Sequence, residues 1–191
     1  VLNKDENNRV IKNHNVKMSY KEKQYHVELI NSYKGKQFSK IMVMKMAASS
    51  MAAIKKFTGH DVVIGDSKVE YTGTLIKKVC KDGKKIIVFS EYIETAKALA
   101  SMVEDHLIGL ITGETSPDSR TSFLTGLEYS QGGVIIMTDV GGEGLDMQFV
   151  DTIVNHDLPW NPMVLEQRIG RLDRIGRDDR DVEIHNIILD D

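Results

Sequence analysis

Ile86-Ile87-Val88-Phe89 is an unbroken apolar run between Lys84-Lys85 and Ser90-Glu91. A run this short, with no polar residue at alternate positions, suits a strand buried on both faces. Outward from it, Ile93 to Val103 has the spacing of an amphipathic helix, Leu107 to Ile111 reads as a strand and Asp118 to Tyr129 as a helix. Val134-Ile135-Ile136-Met137 repeats the buried run, Thr152 to Val154 follows, and Val182 to Leu189 closes the series. Short apolar strands alternating with helices predict an α/β fold, a parallel sheet covered by helices on both faces.

Upstream of Lys84 the pattern is helical. Residues 1–15 are rich in Asn, Lys and Asp and read as an extended lead-in or linker. Ser19 with Glu22 three residues on predicts a capping box for a helix running to about Tyr33. Residues 38–57 predict a second helix, its Met42, Met44, Met46 and Met51 read as flexible packing and Gly59 as its end. Ser67 is expected to cap a third helix closing at Lys81-Asp82-Gly83.

The chain of 191 residues suffices for one full core. Its net charge of −3 gives no global nucleic-acid signature, so any such contact must come from a local patch. Cys80 is the only cysteine, which excludes an internal disulfide and suits a reducing, cytoplasmic setting. The six histidines fall at no metal-ligand spacing, so no metal site is expected. No apolar run reaches the length of a membrane span, and the abrupt ends suggest a piece of a longer protein.

In a parallel sheet, ligands gather at the carboxyl ends of the strands. Val134–Met137 leads into Thr138-Asp139-Val140-Gly141-Gly142-Glu143-Gly144-Leu145-Asp146, whose glycines let a backbone approach phosphate oxygens, or serve as ordinary turn residues. Leu110-Ile111 leads into Thr112-Gly113-Glu114-Thr115-Ser116-Pro117. Asp157-Leu158-Pro159-Trp160-Asn161-Pro162 is a rigid turn carrying the only tryptophan, either buried as an anchor or exposed toward a partner. In Gln167-Arg168-Ile169-Gly170-Arg171-Leu172-Asp173-Arg174-Ile175-Gly176-Arg177, a helix would place Gln167, Arg171 and Arg174 on one stripe. Leu165, Ile169 and Leu172 would lie about 200° away, facing the core. Two guanidiniums aimed together suit a phosphate. Yet the chain has no Gly-x-x-x-x-Gly-Lys-[Ser/Thr] loop and no strand-ending Asp-Glu pair for magnesium, and the simplest resolution is that another lobe supplies the nucleotide site.

These blocks, in this order and at this spacing, resemble motifs V and VI of the Swi/Snf-type ATPases of helicase superfamily two, including the bacterial RNA-polymerase-associated branch. Lys85–Tyr92 resembles motif IV, Thr112–Arg120 the Gly-x-Thr-Ser…Arg block, and Asp66-Ser67-Lys68 the short stretch opening the second lobe. The resemblance is strong over about 66–190. Residues 1–65 are expected to be the lobe connection and helical insertion, and 66–191 the RecA-like C-terminal lobe.

The resemblance implies that a first, N-terminal RecA-like lobe of the same protein binds ATP and Mg. Arg171 and Arg174 would be arginine fingers, and Gln167, Glu143, Gly144 and Asp146 would line the nucleotide cleft. Thr112, Gly113, Thr138, Trp160 and Asn161 would contact double-stranded DNA. Many Swi/Snf relatives have Asn at the place of Asp146, and Thr138-Asp139-Val140…Gly144-Leu145-Asp146 is also similar to DEAD-box RNA helicases. Those usually open motif VI with His-Arg rather than Gln167-Arg168, which favours duplex DNA. An RNA helicase lobe and a non-catalytic DNA- or protein-binding module are the alternatives. The isolated chain is expected to lack ATPase activity.

Overall fold

The computed structural model describes residues 9–33, 37–59, 64–142, 144–172 and 181–190. Six strands, β1 (Arg9–Lys17), β2 (Lys85–Ser90), β3 (Leu107–Ile111), β4 (Gly133–Thr138), β5 (Thr152–Asn155) and β6 (Val182–Asp190), form one sheet in the order β1-β6-β5-β2-β4-β3. Every pairing is parallel.

The predicted central run sits in the middle of this sheet, and its alternate residues serve two cores. Ile86 and Val88 point to one face, against α4 (Ser67–Lys81) and α5 (Ile93–Met102), where Ile76 and Leu99 are fully buried. Ile87 and Phe89 point to the other, toward Leu127 of α6 (Pro117–Tyr129) and Ile169 of α8 (Pro162–Gly170). Burial on both faces is why these strands carry no polar alternation. Helices α1 (Tyr20–Ser32), α2 (Gln37–Ser49) and α3 (Met51–Thr58) pack around a separate small core of Leu29, Val43, Ala47 and Ile54.

Four local expectations are corrected. Residues 9–17 are not a lead-in but strand β1, paired with β6 from Arg9–Val182 to Lys17–Asp190. Only Val16 of this edge strand is buried, so its sequence carries no apolar pattern. The stretch 38–57 is two helices, interrupted at Ser50, whose extended backbone and hydroxyl cap α3. Asp66, not Ser67, caps α4: its carboxylate accepts the amides of Val69 at 3.1 Å and Met51 at 2.7 Å. Ser67 instead donates through its amide and hydroxyl to Glu22. Glu22 therefore closes the predicted capping box with Ser19 and ties α1 to α4.

The fourth correction concerns the arginine stretch. Helix α8 stops at Gly170, and Arg171 is its C-cap. The chain turns because Leu172 is drawn into the core, fully buried, while the Arg171 carbonyl accepts the Met147 amide at 3.3 Å. Arg174 lies outside the described residues, so the stripe it was expected to share with Gln167 and Arg171 is not described.

Candidate nucleotide and nucleic-acid site

The loops after β3 and β4 lie side by side, because Ile111 pairs with Met137 and the two strands end in register. In the first loop, Arg120 at the start of α6 turns the backbone carbonyls inward. Its Nε donates to the Thr115 carbonyl at 2.9 Å and its Nη2 to that of Thr112 at 3.2 Å. The Thr112 hydroxyl accepts the Glu114 amide at 3.3 Å, and Gly113 is exposed at the tip.

In the second loop, the expected glycine-rich turn begins as a short helix, α7 (Asp139–Gly142). The Thr138 hydroxyl accepts the Gly141 amide at 3.4 Å. Gly141 must be glycine, since a Cβ there would stand 2.7 Å from the Ile111 carbonyl oxygen and 2.9 Å from Thr112 Cα. The absent side chain is what lets the two loops touch backbone to backbone. Gly144 turns the chain at φ 74°, in the left-handed region, and is exposed. Glu143 lies outside the described residues.

Asp146 is exposed and accepts from Gln148 Nε2 at 3.4 Å. Through the Met147–Arg171 backbone bond, this end of the glycine loop meets the end of α8. Gln167 is exposed one turn before Arg171. Trp160 and Asn161 stand beyond β5, which β2 separates from β4, so they form a second cluster along the same edge. Trp160 is 78% exposed, which removes the buried-anchor reading, and Lys45 stands 5.5 Å over its ring. Asn161 caps α8 by accepting the Met163 amide at 3.0 Å.

One central residue was given no role by the sequence reading. Arg168 is 2% exposed and uses its whole fork. Nε and Nη2 donate to the two Asp139 carboxylate oxygens at 2.8 Å each, and Nη1 donates to Asn155 Oδ1 at 2.8 Å and the Asp157 carbonyl at 2.9 Å. The guanidinium also lies 4.7 Å over the Phe89 ring. It thus joins the helix of the arginine stretch to the glycine loop and to the end of β5. The signal that could have found it is helical spacing: Arg168 lies three residues after Leu165 and four before Leu172, on the side of the helix that faces the core.

Below the Trp160 turn, the Asp157 carboxylate is held under its ordinary pKa. Burial opposes the charge, but His156, Lys68, the Glu91 amide and the Ser49 hydroxyl outweigh it. Burial lowers the Lys68 ammonium despite Asp157, and pushes His156 down to about 4, so its ring is neutral at pH 7. Among the described residues, no three His, Cys, Asp or Glu side chains gather as a metal site. No helix among them is long and apolar enough to cross a membrane.

A parallel sheet with glycine-loop, arginine-helix and exposed-Trp elements along its carboxyl edge is the RecA-like fold of a helicase-type C-terminal domain. The chain belongs to the family described as helicase conserved C-terminal domain, matched over residues 67–176. It is similar to the uncharacterized ATP-dependent helicase YqhH of Bacillus subtilis, 37% identical over 126 residues, 65% of this chain and 22% of that protein. The RNA polymerase-associated protein RapA of Vibrio parahaemolyticus is 37% identical over 125 residues, 63% of this chain and 13% of that one. The Sulfolobus solfataricus SWI2/SNF2 ATPase core in complex with dsDNA shares the fold at TM-score 0.70 and 20% identity, over 95% of this chain and 41% of that one. The chain thus spans 22% or less of the length of these two curated relatives.

Proposed function

We propose that this chain is the second motor lobe of an ATP-dependent translocase or remodeller that tracks along double-stranded DNA. Residues 66–191 form the lobe, and 1–65 the lobe connection and helical insertion. ATP, with Mg held mainly by the first lobe, enters a cleft that closes on this one. Arg171 and Arg174 then reach the transferring phosphoryl group as fingers, and their fixed positive charge offsets the charge that develops on its oxygens. Gln167, Glu143, Gly144 and Asp146 line this side of the cleft. Thr112, Gly113, Thr138, Trp160 and Asn161 grip the DNA backbone, a sequence-independent hold suited to tracking.

One observation carries this reading: the Arg171 carbonyl accepts the Met147 amide, so the finger helix ends against the glycine loop. That loop in turn lies on the Thr112 backbone through Gly141. Residues assigned to nucleotide and to DNA are therefore joined through main chain.

The test is hydrolysis by the full-length protein with and without duplex DNA, beside Arg171→Ala and Arg174→Ala. Duplex DNA should stimulate, and each variant should lose on the order of 10³-fold in rate while still binding ATP. Stimulation by single-stranded RNA instead would make this an RNA helicase lobe. Unchanged rates in both variants would leave a non-catalytic module.

A further inference from the structure

Asp157 stands two residues past β5 and immediately before the Leu158-Pro159-Trp160-Asn161 turn. Its carboxylate, 6% exposed, collects donors from separate parts of the chain. Oδ2 accepts from the Ser49 hydroxyl at 2.8 Å, the Ser90 hydroxyl at 2.9 Å and the Glu91 amide at 2.9 Å. Oδ1 accepts from the Lys68 ammonium at 3.3 Å, which also donates to the Ala48 carbonyl at 2.8 Å.

A carboxylate only accepts, so the direction of the adjoining bonds is fixed. Ser49 must donate to Asp157; the Thr95 hydroxyl then donates to Ser49 at 2.9 Å, and the Ser50 hydroxyl to Thr95 at 2.6 Å. His156 adds a bond from Nε2–H to the Ser49 carbonyl at 2.9 Å. The junction between α2 and α3 is thus held from beneath by α4, α5 and the ends of β2 and β5. From above, Lys45 of α2 lies over the Trp160 ring and pairs with Glu91 at 3.4 Å.

Stability alone gives little reason for this arrangement, because apolar packing of equal volume often serves as well as a buried ion pair. Its distinct property is directional: a satisfied one-way row of hydrogen bonds has a single geometry. We infer that Asp157 is a positioning residue that locks helices α2–α3 and the Trp160 turn into one body, so that the grip on duplex DNA is set partly by residues 37–58. This rests on the reading of Trp160 and Asn161 as DNA contacts. Displacing α2–α3 would then change the hold on DNA without touching the nucleotide.

The test uses the full-length protein. Asp157→Asn keeps the volume, removes the charge and points a donor at groups that themselves donate. The duplex DNA concentration giving half-maximal hydrolysis should rise about tenfold, with ATP half-saturation unchanged, and the substitution should add nothing in a Trp160→Ala background. A general loss of stability would instead add to the Trp160→Ala effect. Ser49→Ala removes one donor and should act in the same direction more mildly, which covers a failure of Asp157→Asn to fold. Independently of DNA, hydrogen exchange in residues 45–58 and 158–161 should rise together in both variants.

Additive losses, or exchange rising in only one of the two segments, would overturn the locking. Unchanged DNA half-saturation in Trp160→Ala alone would overturn the DNA reading of the turn, and the exchange measurement would still decide the locking.

Discussion

Arg168 and Asp139 form a two-pronged ion pair, both contacts at 2.8 Å, that fastens the arginine helix to the glycine loop. The guanidinium side chain is 3% exposed and the carboxylate 37%, so the cost of breaking the pair falls mainly on the arginine side. Lysine cannot reproduce a planar fork that serves Asp139, Asn155 and the Asp157 carbonyl together. Arg168→Lys should therefore destabilise the chain by roughly 2 kcal/mol, measured by urea unfolding, with Arg168→Ala worse. A midpoint within error of the parent for Arg168→Lys would mean that the fork geometry is immaterial.

Gly141 makes a second fastening, of backbone on backbone. A methyl there would stand 2.7 Å from the Ile111 carbonyl oxygen, which is main chain and has no rotamer by which to escape. Gly141→Ala should push the Thr112 and Thr138 loops apart. We expect stimulation by duplex DNA to fall about tenfold in the full-length protein, at a stability cost of ~1–3 kcal/mol. At exposed Gly170, where a Cβ meets nothing within 4 Å, alanine should cost far less. Equal effects at the two sites would show that crowding is not the cause.

The contrast between β2 and β1 shows what the sequence could reveal. Burial on both faces writes itself as Ile86-Ile87-Val88-Phe89, whereas an edge strand with one buried residue, Val16, leaves no periodic trace. The partner that makes β1 a strand is β6, far away in sequence. The same holds at the site. Exposed, chemically distinctive residues such as Trp160 and Gly144 stand out by type. Helical spacing sets Arg168 beside Leu165 and Leu172, but that Asp139, Asn155 and Phe89 surround it came only from the fold. The end of α8 was equally hidden, because the bond that ends it comes from Met147 on another loop.

The buried network gives the fold an acid-sensitive component. His156 titrates at about 4 in the folded chain and at 6.5 ordinarily, its lowering due to burial. Between those values the unfolded chain binds a proton that the folded chain does not, so stability is full above about pH 6.5 and falls as pH drops toward 4. The slope from this group is about 1.4 kcal/mol per pH unit. Asp157, held below 3.8, adds its own loss only at still lower pH. Urea unfolding from pH 7.5 to 4 should show this slope, and His156→Asn should flatten it. An equal slope in the variant would assign the effect to other groups.

Trp160 is the only tryptophan of the chain and is 78% exposed, so fluorescence excited selectively at tryptophan reports on its turn alone. In the free chain its emission should be that of a solvated indole and be quenched readily by acrylamide. Lys45 stands 5.5 Å from the ring centroid, and the residue stays largely exposed beside it. Adding duplex DNA at low salt should shift the emission and shield it from acrylamide, because a contacting strand replaces water around the ring. The shift should reverse as salt rises, as expected for a hold made through phosphates. Asn161→Ala should weaken the response, since its side-chain Oδ1 accepts the Met163 amide to cap α8 and sets the direction in which the helix leaves the turn. Emission that stays constant while the anisotropy of labelled DNA reports full binding would put the DNA elsewhere on the lobe, with the Thr112 and Thr138 loops as the place to look.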